Sequence, residues 1–482
     1  MRKLLLAVMT IALLASFLYL PQSTFAAAPV LDKDAVDDYV KRYLRRNGLP
    51  GASIVIVKDG EIIHAQGYGH DSEGSPITEH SLMRIGSVSK TFTAFAVLQL
   101  VNEGAIQLDD PVIRHLPELT MDDNRFGQVT IRHLLSHTSG IPNPTIVPKA
   151  DTLEQGVKRL HSWKLQSNPG EQHSYSNANY WILAWLVENV SGMEFAAYLD
   201  TKLFSPLGMD DSLSPVNAGD AIPGLPRGHV TAYGTAIPIS EMELMFGGAG
   251  GIVTTAADMG KWLSMHTNDG VSPTGIRLLS SSLLEESYSP QPGSEHYGLG
   301  WSLSSSDVAP QRIQHSGALS SYHAQQSIVT SSGYAIAVIL NSFTTTFEHA
   351  YEMSSRIIQL TEGKEPELKA PVPTIIDFSL GFLTLLYASL GIRGILRSKR
   401  WSDQRQHHSA LRYYLRLIPQ MIPIAGIGWL MFIVPGLQDN SSTALDVFRL
   451  WPALAILLSI IFLCAVFMTG KRIYYRLKGG RT

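Results

Sequence analysis

The sequence predicts a domain of mixed helices and antiparallel hairpins, preceded by an apolar leader and followed by an apolar membrane-spanning quarter. Three observations predict it. Met1-Arg2-Lys3 runs into the apolar stretch Leu4 to Leu20 and then Pro21 to Ala27, the pattern of a secretory leader. Strand pairs stand near 52–67 and 324–340, with helical stretches between them. Three long apolar runs close the chain. With 482 residues, a net charge of −3 and 45% hydrophobic residues, the chain is neither disordered nor a nucleic-acid binder. The single cysteine, Cys464, permits no internal disulfide, so the domain must be held by its core.

The leader places a cut after Ala26, with an uncleaved anchor as the alternative; both send the next segment outside the cytoplasm. Ala52 to Val57, Asp59-Gly60 and Ile62 to Gly67 read as a hairpin with a tight turn. Next comes Gly86-Ser87-Val88-Ser89-Lys90, leading into a helix from Thr91 to Glu103 that Gly104 ends. That helix is apolar nearly all round, which predicts a buried position. Ser87 and Lys90, three residues apart at its start, share one face. A serine hydroxyl needs a base to become nucleophilic, and an apolar setting lowers a lysine pKa toward neutrality. The N-terminal N–H groups add positive potential where an oxyanion would form.

Thr130 to Gly140 carries His133 and His137 at i, i+4, but no Glu follows the first histidine as a zinc hydrolase needs, so a helix end with a Ser-Gly turn is expected and no metal. Pro169 to Asn177 reads as a loop closed by an apolar helix from Tyr180 to Val190. Its Tyr175 and Asn177 gain a role only if the loop faces Ser87: a phenol beside an ammonium ionises more easily, and an amide can hold a substrate carbonyl or N–H. Gly247 to Gly251 lacks the Gly-Lys-Ser/Thr of a phosphate cradle and reads as backbone passing close to another element. Thr255 to Asp258 reads as a helix cap. His315-Ser316-Gly317-Ala318 precedes the strands Ala324 to Val329 and Tyr334 to Leu340, which read as a hairpin.

The C-terminal runs, about Thr374 to Gly391, Ile418 to Leu437 and Leu450 to Thr469, are each long enough to cross a ~30 Å hydrocarbon core. Arg393, Arg397, Lys399, Arg400, Arg405, Arg412 and Arg416 separate the first two, and Lys471, Arg472, Arg476, Lys478 and Arg481 follow the third. The positive-inside rule makes these segments cytoplasmic and the Ala27–Lys369 region external. Only Asp377 is ionisable within the spans, so an anchor is expected rather than a transporter.

Taken in order, Ser-x-x-Lys at Ser87 and Lys90, Tyr-x-Asn at Tyr175 and Asn177, and His-x-Gly at His315 and Gly317 resemble the serine β-lactamase and penicillin-binding protein superfamily, in the class C-like branch. Pro142, the glycine-rich stretch and Tyr297-Gly298-Leu299-Gly300-Trp301 extend the likeness over about residues 30 to 360. The resemblance implies an α+β fold: a mostly antiparallel sheet built from the two ends of the domain, flanked by helices, with a mainly helical region inserted. It implies Ser87 as nucleophile, Lys90 as its proton partner, Tyr175 as general base/acid, Asn177 orienting the substrate amide, His315, Gly317 and Ala318 as substrate-binding residues, and the Ser87 and Ala318 N–H groups as oxyanion hole. No cofactor is implied. Better-known members carry lysine where this chain has His315, which puts preference for a substrate carboxylate in doubt. The three-span anchor is similar to membrane-tethered prodrug-activating D-peptidases, although their D-asparagine pocket is not recognisable in the segment Ala318-Leu319-Ser320-Ser321.

The resulting organisation is a signal peptide over 1–26, a serine hydrolase domain over 27–362, a linker over 363–373 and a three-helix anchor over 374–482. The expected function is hydrolysis of amide, peptide or ester bonds in small peptides, peptidoglycan precursors or acyl-peptides, at the outer face of the cell membrane. The alternatives are a β-lactamase and a penicillin-binding sensor. The dozen residues after Lys471 leave little room for a signalling domain.

Overall fold

The computed structural model describes residues 31–143, 148–433 and 444–479; the leader lies outside the described residues. The chain enters through α1 (Lys33–Asn47), capped by Asp32 and ended by Gly48 at φ 63°. The apolar strand β1 (Gly51–Lys58) is buried at its first seven positions, the pattern of a central strand covered on both faces. Asp59 and Gly60 lie at φ 49° and 85°, a turn whose twist suits a hairpin, and lead into β2 (Glu61–Gly69). After the short β3 (Met83–Arg84) comes a 3₁₀ turn, Gly86–Val88, and then α2 (Ser89–Asn102). Ser87 therefore precedes the α-helix instead of sitting within its first turn, while Lys90 lies inside it.

The inserted region contains α3 (Ile131–Leu135) and α4 (Asn177–Ser191). Asn177 opens α4, three residues earlier than the apolar pattern indicates, because the helix starts at polar residues that face the site. The strands β4 (Gly228–Ala232), β5 (Thr235–Ile239) and β6 (Val253–Thr254) follow, then α5 (Ala256–Thr267), whose N-cap Thr255 accepts the Asp258 N–H. The domain closes with β7 (Ser302–Leu303), β8 (Ile313–Ala318), β9 (His323–Val329), β10 (Tyr334–Leu340), β11 (Ser342–Phe343) and α6 (His349–Thr361).

The main sheet runs β2-β1-β10-β9-β8-β7 and is antiparallel throughout. Its strands come from the two ends of the domain, as the resemblance implies. One face carries Ile54, Ile56, Ile336 and Val338 against Val36, Tyr39 and Val40 of α1 and Met353 and Ile357 of α6. The other carries Val55, Val57, Ala337 and Ile339 and joins the larger core of Phe92, Phe95, Trp262 and Trp181. Truncating one such buried isoleucine to alanine costs about 2–5 kcal/mol. A smaller sheet, β11-β4-β5, stands beside the first.

Beyond the domain, two helices, rather than the three expected, are long and apolar enough to cross a membrane among the described residues: α7 (Val372–Leu396) and α8 (Pro452–Gly479). Between them the apolar helix Ile418–Gly428 contains Pro423 and passes into a wide helical turn, Trp429–Ile433; the rest of that run lies outside the described residues. Outward-facing apolar side chains such as Ile375, Phe382, Leu385 and Phe467 cover α7 and α8. Gly391 packs on Cys464 and Gly394 on Met468 where the two helices meet. At one end Asp377 is buried, accepting the Tyr233 N–H and the Trp451 indole N–H at 3.1 Å each. At the other end Arg405 and Arg472 lie over Trp401. The hydrolase-like domain and the basic cluster thus occupy opposite ends of the pair.

Candidate active site

Ser87 sits on the 3₁₀ turn between β3 and α2, and Gly86 takes φ 51° so that the chain can turn beneath β8. Lys90 is fully buried one helical turn on. Its Nζ lies 3.0 Å from Ser87 Oγ, 2.8 Å from Asn177 Oδ1 and 2.7 Å from the Ala249 carbonyl oxygen. None of these partners is a carboxylate. Burial holds the Lys90 pKa well below the ordinary lysine value, because the charged form has lost its water. A neutral amine has two N–H groups and one lone pair. Asn177 Oδ1 and Ala249 O occupy the donors, so the lone pair is left for the Ser87 hydroxyl proton.

The Ala249 carbonyl comes from the glycine-rich stretch. A Cβ at Gly248 would stand 2.5 Å from the Tyr180 carbonyl oxygen, so only glycine lets this backbone close on α2 and α4. The close approach expected there is present. Its service as a lysine acceptor was not foreseen, because a backbone carbonyl has no sequence signature.

Tyr175 reaches the same site: it lines the cleft with Ser87, and its ring centroid lies 4.8 Å from Lys90 Nζ. Burial raises its pKa above the ordinary phenol value, so the resting pair is a phenol and an amine, not the eased phenolate that an adjacent ammonium suggests. The Ser-Gly turn after α3 holds this loop. His137, fully buried and at φ 58°, accepts the Ser174 N–H on its carbonyl at 2.8 Å and the Ser176 N–H on Nδ1 at 3.2 Å. Asn179 Nδ2 also meets Nδ1 at 3.0 Å, and the imidazole lies 4.3 Å from the Tyr175 ring centroid. His133 instead accepts the Thr130 N–H and caps α3, so the two histidines serve different partners.

His315, Gly317 and Ala318 lie on β8, paired with Gln326, Ala324 and His323 of β9. Gly317 is required by space: a Cβ there would meet the Ile85 carbonyl oxygen at 1.9 Å and Ser87 N at 2.9 Å. Ala318 is exposed at the end of the strand. His315 is buried and turned inward. Its Nδ1 donates to the Ser316 carbonyl at 2.7 Å, which leaves Nε2 to accept the Tyr297 hydroxyl at 2.9 Å. Burial pushes its pKa down to about 3. The imidazole is therefore neutral, and both nitrogens are engaged within the protein. Tyr297 belongs to the Tyr-Gly-Leu-Gly-Trp stretch, whose part in the site was not read from the sequence.

A cleft of about 320 Å³ brings Ser87, Tyr175, His315 and Ala318 to one surface. A larger hollow of about 490 Å³ lies along α4 around Trp185 and Glu188 and includes none of them. The serine hydroxyl in this cleft, backed by a buried amine and a phenol, has what acyl transfer needs: a nucleophile, a proton acceptor and a proton donor.

Known proteins share the fold that carries this cleft. Residues 36–357 match the family model described as Beta-lactamase. Penicillin-binding protein 4 of Amycolatopsis lactamdurans is 29% identical over 340 residues, 67% of this chain and 89% of that one. Protein flp of Staphylococcus aureus (strain MRSA252) is 26% identical over 317 residues, 64% of this chain, and the match spans only 62% of its length. Among solved structures, the octameric penicillin-binding protein homologue from Pyrococcus abyssi aligns with a TM-score of 0.61 and 26% identity, covering 71% of this chain and 80% of that one. The D-amino acid amidase from Ochrobactrum anthropi SV3 complexed with L-phenylalanine amide aligns with a TM-score of 0.57 and 25% identity, covering 68% and 97%. With a six-stranded antiparallel sheet built from both ends of the domain, and a family match over most of it, this chain belongs to the beta-lactamase family.

Proposed function

We propose that this protein is a membrane-anchored serine hydrolase, acting outside the cytoplasm on amide or peptide bonds next to a D-residue, through an acyl-enzyme. The observation that carries the chemistry is the buried Lys90 amine 3.0 Å from Ser87 Oγ with no carboxylate beside it. Neutral Lys90 takes the Ser87 proton as Oγ bonds to the substrate carbonyl carbon. The oxyanion that forms is received by the N–H groups of Ser87 and Ala318. Tyr175, kept as a phenol by burial, donates its proton to the leaving nitrogen as the C–N bond breaks, and the proton on Lys90 restores the phenol. Water then attacks the ester; its proton returns through Lys90 and Tyr175 to Ser87 Oγ as the acid leaves. Asn177 Nδ2, with Oδ1 engaged by Lys90, is the amide donor available to the substrate.

The D-amino acid amidase neighbour supports an amide substrate, and the neutral, inward-turned His315 supports a site that does not depend on a substrate carboxylate. The anchor rests on α7 and α8, 25 and 28 residues long. Arg405 and Arg472 at the far end from the domain match the positive-inside rule. The test is covalent labelling by a fluorescent penicillin or a serine-directed phosphonate in wild type and Ser87→Ala. Labelling is expected to vanish in the variant, and its survival would refute the assignment.

A further inference from the structure

The end of β8 that carries Ala318 is held by the main sheet on one side. β7 pairs with β8 at Ile313 and Gln314, and from His315 to Ala318 the strand beside it is β9 alone among the described residues. The Leu319 N–H reaches the Tyr322 carbonyl at 2.9 Å and closes a hairpin whose loop is Ser320 and Ser321. Pairs alternate along an antiparallel ladder, so the next pair, Ala318 with His323, is of the kind that exchanges no hydrogen bonds. The Ala318 N–H therefore points away from β9. Its nitrogen stands beside the serine turn, where a Cβ on Gly86 would come within 2.9 Å of it. A strand end paired along one edge opens locally at low free energy unless its loop is held.

Glu241 holds that loop. It follows the end of β5 by two positions and is half-buried. Its Oε1 accepts the Ser320 N–H at 3.0 Å and also the Ser320 hydroxyl. Its Oε2 accepts the Ser321 N–H at 3.1 Å and the Ser321 hydroxyl at 2.6 Å. Both backbone donors of the loop thus end on one side chain. Among side chains of this length, only an ionised carboxylate has two oxygens that accept and nothing that donates, and hydrogen bonds to a charged acceptor are the stronger kind. The neighbouring strand completes the grip. The His229 N–H of β4 donates to the Ser321 carbonyl at 3.1 Å, and the Tyr322 hydroxyl donates to the Pro226 carbonyl at 2.5 Å. Glu241 is not among the residues that line the cleft, so its influence on the reaction runs through the loop.

We infer that Glu241 is a positioning residue for acyl transfer: by clamping the Ser320–Ser321 loop it fixes the Ala318 N–H where the oxyanion forms. The inference rests on the hydrolase reading of Ser87 and names a residue outside the cleft on which that chemistry depends.

The experiment compares full-length wild type, Glu241→Ala and Glu241→Gln on D-phenylalanyl p-nitroanilide, with rates divided by the fraction of Ser87 that a serine-directed phosphonate titrates. Each protein is also titrated with phenylboronic acid, whose boron bonds to Ser87 Oγ and becomes a tetrahedral anion with an oxygen in the oxyanion position. Glu241→Ala is expected to lose at least tenfold in kcat, approaching the ~10²-fold that a 1 Å displacement can cost, with KM within threefold of wild type. Its affinity for the boronic acid is expected to fall by a similar factor. Glu241→Gln keeps one accepting oxygen and sets an amide N–H against the other loop N–H, so smaller losses of at least threefold in both readouts are expected. A lowered melting temperature by itself moves neither readout, because both are taken per titrated site. Where Glu241→Ala fails to fold, the isosteric Glu241→Gln decides by the same threefold criterion. Wild-type kcat in the folded variants, or a loss of kcat with unchanged boronic-acid affinity, overturns the clamp while leaving the hydrolase reading intact. Turnover that survives in Ser87→Ala overturns the hydrolase reading instead.

Discussion

Replacing Gly317 with alanine tests the link between strand β8 and the serine turn most directly. A Cβ at Gly317 would lie 1.9 Å from the Ile85 carbonyl oxygen and 2.9 Å from the backbone nitrogens of Ser87 and Val88. A relaxed carbon-to-oxygen contact is roughly 3.3 Å, so β8 and the turn must separate by about 1.4 Å. All three obstructing atoms are backbone, so no side chain can rotate out of the way. Overpacking of this kind costs about 1–3 kcal/mol in stability. The catalytic loss should be larger, because displacement by 1 Å can cost about 10²-fold and losing an oxyanion donor about 10²–10³-fold. We therefore expect kcat for a p-nitroanilide to fall by about 10²–10³-fold in Gly317→Ala, with a lower melting temperature but a folded, labelled protein. Gly127→Ala serves as control, since its Cβ meets only Ile113 Cδ1 at 3.8 Å. Near-wild-type kcat in Gly317→Ala would refute the placement of the oxyanion between the Ser87 turn and β8.

Lys90→Met keeps the buried stem without the amine, so acylation should fall by about 10²–10⁴-fold with little change in melting temperature; rapid single-turnover labelling would contradict Lys90 as base. His137→Asn retains an acceptor where Nδ1 meets the Ser176 N–H, and should keep far more kcat than His137→Leu, with KM moving less than kcat. Equal loss in both variants would show that the histidine only fills space. His266, His315 and His349 are buried, and their pKa values are lowered from 6.5 to about 3. The unfolded chain therefore binds protons that the folded one does not. Their stabilisation is complete above pH 6.5 and is lost as pH falls toward about 3, by on the order of 1 kcal/mol per histidine per pH unit. The melting temperature should drop steeply from pH 6 to 4, and a flat profile would count against buried neutral imidazoles. A reporter enzyme fused at Arg405 should behave as cytoplasmic; alkaline phosphatase activity there would overturn the orientation.

The local pattern of the chain determined much of what the structure contains. The seven-residue buried run of β1, the Asp59-Gly60 turn and the α2 helix, buried from Ser89 to Leu100, follow from periodicity and backbone preference within a few residues. The Ser87–Lys90 pair was legible for the same reason, since three residues at a helix start bring two side chains together. The tertiary structure decided the rest. Only the close approach of Gly248 to α4 places the Ala249 carbonyl on Lys90, and only the packing of the whole domain removes the water that would keep that amine charged. His315 reads from the sequence as a substrate contact; the fold turns it to Tyr297 and the Ser316 carbonyl. The middle apolar run is described as far as Ile433, as a helix that passes at Trp429 into a wider helical segment. Contacts between residues 87 and 249, or 315 and 297, depend on how distant segments pack, and a one-dimensional pattern carries no record of which backbone groups will meet.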